Sequence, residues 1–152
     1  MPHADDDLRF MREALRAAAR APGHRDVPVG AVIVRDGEVV SRAHNRREAD
    51  SDPAGHAELI AIRRAARKLS SWRLDGCTIY VTLFPCNECT KLLIQSGIRR
   101  IVYLSDKYHD TDSACAARRM LDMVGIVYEP FRPAQERVTI DFAREAQDVT
   151  RI

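Results

Sequence analysis

The sequence predicts a three-layer α/β domain with a five-stranded mixed sheet between helices. Two observations predict it. From residue 77 onward, short β-branched stretches alternate with stretches of helical apolar period, the pattern of parallel strands joined by helices. Nearer the start, Asp36-Gly37 separates two strand-like stretches and marks a tight hairpin, hence an antiparallel pair.

The elements follow in order. A first helix is expected over Leu8 to Ala21, with Met11, Ala14, Leu15, Ala18 and Ala19 at helical spacing and Pro22-Gly23 as its stop. Val27 to Val34 reads as a buried strand, and Glu38 to Ala43 as its hairpin return. A polar loop, His44 to Gly55, leads to a helix from His56 to Leu69. Cys77 to Leu83 is the third strand. A helix over Asn87 to Ser96 is stopped by Gly97. Ile101 to Leu104 is the fourth strand, Asp112 to Val124 a helix stopped by Gly125, and Ile126 to Tyr128 the fifth strand. From Phe131 onward the pattern is ambiguous: Arg137 to Phe142 reads as a short strand or a packed arm, and the last ten residues as a weak helix.

The 152 residues suit one domain over 1–152 with a full core. Hydrophobic residues at 45% and charged residues at 30% are those of a globular protein, and a net charge of +2 neither demands nor forbids a nucleic-acid partner. No apolar run reaches the roughly 18–20 residues of a membrane span. Met1 to Asp7 is acidic and is no secretory signal, so a cytoplasmic location is the default expectation. In that compartment the four cysteines stay reduced, and Cys86 and Cys89 point to metal or redox chemistry instead of disulfides.

Two pieces carry the chemistry. His56-Ala57-Glu58 opens a helix after a loop, and Pro85-Cys86-Asn87-Glu88-Cys89 opens another after a strand. One imidazole and two thiolates make three good zinc ligands, and a helix N-terminus favours the thiolate. Three protein ligands leave the fourth position open to water, the pattern of one catalytic Zn2+ per chain. Glu58, two residues from the histidine, is placed to shuttle the proton. A closed structural site would need a fourth ligand; Cys77 and Cys115 are the candidates, and both read as small core residues. The redox-pair reading of Cys86 and Cys89 leaves the histidine and Glu58 without a role.

The paired motifs, H-x-E with P-C-x-x-C, resemble those of the cytidine and deoxycytidylate deaminase superfamily. The resemblance covers most of the chain and implies the cytidine-deaminase-like fold. Its halves differ. Val27-Pro28-Val29-Gly30-Ala31-Val32, Ala43-His44-Asn45-Arg46, Asp52-Pro53 and Ser71-Trp72-Arg73-Leu74 are similar to bacterial tRNA adenosine deaminases. Leu83-Phe84-Pro85-Cys86-Asn87-Glu88-Cys89, Ile94-Gln95-Ser96-Gly97-Ile98, Ser105-Asp106-Lys107-Tyr108-His109-Asp110 and Val138-Thr139-Ile140-Asp141-Phe142 are similar to deoxycytidylate deaminases. Phe84 and Glu88 stand where tRNA adenosine deaminases usually carry glutamate and methionine. The short loop from His44 to Gly55 lacks the longer insert of deoxycytidylate deaminases, so no second zinc is expected.

The resemblance implies hydrolysis of a nucleobase amino group with release of ammonia. The leading expectation is a small-molecule cytosine nucleotide, dCMP to dUMP. The alternative is tRNA, with wobble adenosine converted to inosine. A non-catalytic zinc module binding nucleic acid or a protein is the competing class. The expected substrate contacts are Asn45, Arg46, Ala57, Phe84 and Tyr108, with Arg47 beside Arg46 as a second phosphate donor. Asn45 also reads as a loop cap, and Phe84 as a core residue. The remaining basic pairs, Arg63-Arg64, Arg67-Lys68 and Arg99-Arg100, read as solvated faces or oligomer contacts. No membrane partner is expected, and the resemblance implies a homo-oligomer, dimer or higher.

Overall fold

Asp5, Asp6 and Asp7 lie in the first turn of α1, Ala4–Ala18, where their charge complements the helix dipole. The helix therefore begins four residues before the apolar pattern does, and it ends at Ala18 rather than Ala21. The computed structural model describes residues 4–21 and 26–132. The stop at Pro22-Gly23 and the tail readings from Arg137 onward lie outside the described residues.

The strand β1, Gly30–Arg35, pairs antiparallel with β2, Glu38–His44. Asp36 and Gly37 join them at φ 52° and 76°, the left-handed conformation that a two-residue hairpin turn requires. β1 starts three residues later than the β-branched run. Its partner turns away after His44, and only one further bond, from the Asn45 N–H to the Val29 carbonyl at 3.0 Å, prolongs the pairing. Then come α2 (Ala57–Lys68), β3 (Cys77–Leu83), α3 (Asn87–Ser96), β4 (Arg100–Ser105), α4 (Asp112–Val124) and β5 (Val127–Pro130). Gly97 and Gly125, at φ 84° and 71°, end α3 and α4 in the left-handed cap that glycine adopts without strain.

The sheet order is β2-β1-β3-β4-β5. β3 is antiparallel to β1 and parallel to β4, and β5 is parallel to β4. Strand alternation sends successive residues to opposite faces. Val32, Val34, Tyr80 and Val102 meet Phe10, Met11, Ala14 and Leu15 of α1. Ala31, Ile33, Ile79, Val81 and Ile101 face α2, α3 and α4 through Ala61, Leu93 and Leu121. Each fully buried aliphatic side chain contributes about 1.5–3 kcal/mol. α1 runs directly over β1: a Cβ on Gly30 would come within 2.0 Å of the Ala14 carbonyl oxygen.

Arg100 ties the layers together. Its guanidinium donates to both Asp7 carboxylate oxygens, at 3.1 and 2.8 Å, and to Glu129 at 2.8 Å. The Tyr80 hydroxyl donates to Asp7 at 2.6 Å, and burial together with that carboxylate keeps the phenol protonated well beyond its usual range. Arg100 thus belongs to a half-buried network rather than to a solvated face. Among the described residues no helix is long and apolar enough to cross a membrane.

Candidate functional site

The loop between β2 and α2 is held at both ends. The Arg46 N–H donates to the Gly55 carbonyl at 2.8 Å, and a side chain at Gly55 would meet the Arg46 backbone at 2.9 Å. The buried Asp26 carboxylate accepts the N–H groups of Glu48 and Ala49. His56 occupies the N-cap position of α2 with extended backbone and makes no capping bond with its side chain. Asn45 supplies the cap instead: its Oδ1 accepts the Ala57 N–H at 2.9 Å. The His56 ring is thereby free to face the second motif.

Cys86 is the N-cap of α3, and its Sγ accepts the Cys89 N–H at 3.5 Å. Cys86 Sγ lies 3.7 Å from His56 Nδ1, and the donor atoms of His56, Cys86 and Cys89 all lie within 4.8 Å of one another. A tetrahedral zinc with bonds of about 2.3 Å to sulfur and 2.0 Å to nitrogen holds those atoms about 3.6 Å apart. The donor set therefore fits one zinc ion. Cys77 and Cys115 are outside this group. Cys77 is buried in the core as expected, but Cys115 is exposed, because its position on α4 points away from the sheet. Neither closes the site as a fourth ligand.

The cluster sets its own charge. Hydrogen bonds from Cys89 and His56 pull the Cys86 thiol down to about 4, against the opposing effect of burial. The Cys86 sulfur and burial together raise the Cys89 thiol. The His56 imidazole is raised chiefly by its bond to Cys86. Glu58, in the first turn of α2, is 4% exposed, and that burial pushes its carboxyl above the usual range.

A cavity of about 380 Å³ opens over the cluster, within the range of small-molecule sites. It lies beyond the carboxyl end of β3, where open α/β sheets place ligands. His56, Glu58, Cys86, Asn45, Phe84 and Tyr108 all line it. Phe84 also packs edge-on against Tyr103 and Tyr128, at ring distances of 5.0 and 5.9 Å, so it is both core and wall. The Tyr108 hydroxyl makes no hydrogen bond among the described residues, and Lys107 Nζ lies 5.0 Å from its ring centre. Two expected contacts are arranged differently. Ala57 is buried behind the Asn45 cap, with its N–H engaged. Arg46 is absent from the cavity wall because Asp50 holds it through two bonds of 2.9 Å, whereas Arg47 lines the wall. The sequence pattern also missed Val27, Val29, Thr111 and Ser113, which line the cavity from elements far apart in the chain. No local signal marks them. Arg63, Arg64, Arg67 and Lys68 are exposed along α2, away from this wall.

An α/β sheet carrying one imidazole and two thiols at helix starts, open to a cavity with a buried carboxyl, defines a zinc-binding domain with an accessible site. The comparisons narrow the class. Residues 4–105 match the model of the cytidine and deoxycytidylate deaminase zinc-binding region, and the chain belongs to that family. It is 46% identical over 101 residues to a tRNA-specific adenosine deaminase of Aquifex aeolicus, covering 66% of this chain and 67% of that one. It is 49% identical over 87 residues to a deoxycytidylate deaminase of Pongo abelii, covering 57% of this chain and 47% of that one. A solved tRNA A34 deaminase matches at 42% identity with a TM-score of 0.61, over 62% of this chain and 73% of that one. The match thus spans about half to two thirds of these curated relatives' length.

Proposed function

We propose that the protein hydrolyses the exocyclic amino group of a cytosine nucleotide, converting dCMP to dUMP with release of ammonia. The observation that carries this reading is the buried Glu58 carboxyl in one cavity with the His56–Cys86–Cys89 cluster. His56, Cys86 and Cys89 would hold a zinc ion, which would supply Lewis acidity toward a water molecule. Glu58 accepts the proton of that water and delivers protons to the ring nitrogen and the departing amine. The Asn45 amide N–H groups, left over once Oδ1 caps α2, donate to the base or sugar edge. Phe84 and Tyr108 flank the base from the cavity wall.

The second reading is deamination of the tRNA wobble adenosine. The Aquifex relative and the solved A34 deaminase favour it, at identities close to that of the deoxycytidylate deaminase. The leading choice rests on the residues around the cysteines and on the segment 105–110, which are the dCMP-like ones. The test is an ammonia-release panel of dCMP, CMP, deoxycytidine, cytosine, guanine, adenosine and a tRNA anticodon stem-loop. Turnover of dCMP is expected; turnover of the stem-loop alone overturns the first choice. The reading includes one domain over 1–152, a homo-oligomer in solution, measurable by sedimentation, and a reducing compartment such as the cytoplasm, which suits thiol ligands.

A further inference from the structure

Two consecutive arginines follow Asn45, and the fold separates them. Arg46 gives both arms of its guanidinium to the Asp50 carboxylate. Arg47 is exposed, lines the cavity, and makes no side-chain hydrogen bond or ion pair among the described residues. The acids near it in sequence have other roles: Asp50 holds Arg46, Asp26 holds the backbone of Glu48 and Ala49, and Glu48 makes no ion pair with it.

The loop that carries Arg47 is fixed. The Arg47 carbonyl accepts the Asp52 N–H at 3.0 Å, and the residues on either side are tied to Gly55 and Asp26. Among the described residues lining the cavity, Arg47 alone has a permanent positive charge. Two of the lining hydroxyls are already committed, while that of Tyr108 is not. Thr111 donates to the Tyr108 carbonyl at 2.8 Å, and Ser113 donates to Asn87 Oδ1 at 3.0 Å. A substrate whose reacting amine faces the cluster would leave its sugar and 5′ substituent toward solvent, and Arg47 is an exposed residue of the wall.

We infer that Arg47 reads the phosphate of the substrate and so selects a nucleotide over the nucleoside or the free base. The inference rests on the deaminase reading above. A planar guanidinium with uncommitted N–H groups matches phosphate oxygens in paired, charge-assisted bonds, whereas a lysine offers only a point charge.

The experiment compares kcat/KM for dCMP and deoxycytidine in the wild type, Arg47→Gln and Arg47→Lys, with zinc content measured in each. The wild type is expected to prefer dCMP. Arg47→Gln is expected to lower the dCMP-to-deoxycytidine ratio roughly 10- to 100-fold, through KM and with zinc unchanged. Arg47→Lys is expected to recover part of it. An equal loss on both substrates, or an unchanged KM for dCMP, overturns the assignment while leaving the deaminase reading standing. A wild type that turns over neither substrate, including one active on the RNA stem-loop alone, overturns the assignment together with the choice of dCMP as substrate.

Discussion

The side-chain oxygen of Asn45 accepts the backbone N–H of Ala57 at 2.9 Å, and both residues are buried. One amide therefore closes the loop between β2 and α2, caps the helix that carries Glu58, and releases the His56 ring from capping. The same residue lines the cavity, and its amide N–H groups are not used by the cap.

These two uses of Asn45 separate by substitution. Asn45→Asp keeps the acceptor and loses the donor, so it is expected to fold with full zinc and to lose at least about tenfold in kcat/KM. Asn45→Ala also strands the Ala57 N–H and is expected to cost a further 1–3 kcal/mol or so of stability. Equal melting temperatures for the two variants would show that the cap is not what holds this loop.

Glu58→Gln removes the proton carrier without changing its size. Turnover is expected to fall by about 10²–10⁴, with zinc still at one ion per chain. In the metal-free chain burial opposes the charged carboxylate, so there the melting temperature is expected to hold or rise. Undiminished hydrolysis in this variant would take Glu58 out of the chemistry. A wild type with zinc and no hydrolysis of any candidate would favour the non-catalytic module.

Zinc uptake is expected to release protons and to tighten as pH rises. Cys86, at about 4, is already a thiolate at neutral pH, while Cys89 is raised and keeps its proton in the metal-free chain. His56 is raised as well, so a second proton must leave when binding occurs on the acid side. Raised groups hold protons that the metal has to displace, which weakens binding as pH falls. Log affinity is expected to climb roughly one to two units per pH unit. Calorimetry in buffers of different ionisation enthalpy reads the proton count, and a pH-independent affinity would contradict this charge assignment.

Gly30→Ala tests the contact between α1 and the sheet. The added carbon would lie 2.0 Å from the Ala14 carbonyl oxygen and 2.5 Å from the Ala18 nitrogen, both backbone atoms. α1 must move away, and the loss is expected to be about 1–3 kcal/mol or more, read by thermal unfolding. An unchanged transition would mean that α1 shifts on the sheet at no cost.

Much of this was legible locally. β3, α3 and α4 have the bounds that the sequence pattern predicts; for the two helices, Gly97 and Gly125 are stop signals read within one helical turn. The start of α1 was missed because its first turn is held by charge at the helix end, with no apolar period to show it. The start of β1 was missed because a strand ends where its partner leaves, and β propensity does not report the partner.

At the site the same division holds. Residue type and position alone determined an imidazole and two thiols at helix starts, with a carboxyl two residues from the imidazole, and hence the zinc chemistry. The tertiary structure decided what no spacing encodes. It brings Cys86 Sγ within 3.7 Å of His56 Nδ1 across thirty residues. It buries Glu58, exposes Cys115, and gives Arg46 an acidic partner while leaving Arg47 on the cavity wall. Periods and caps are properties of one turn of chain. Burial and pairing depend on which distant surfaces meet.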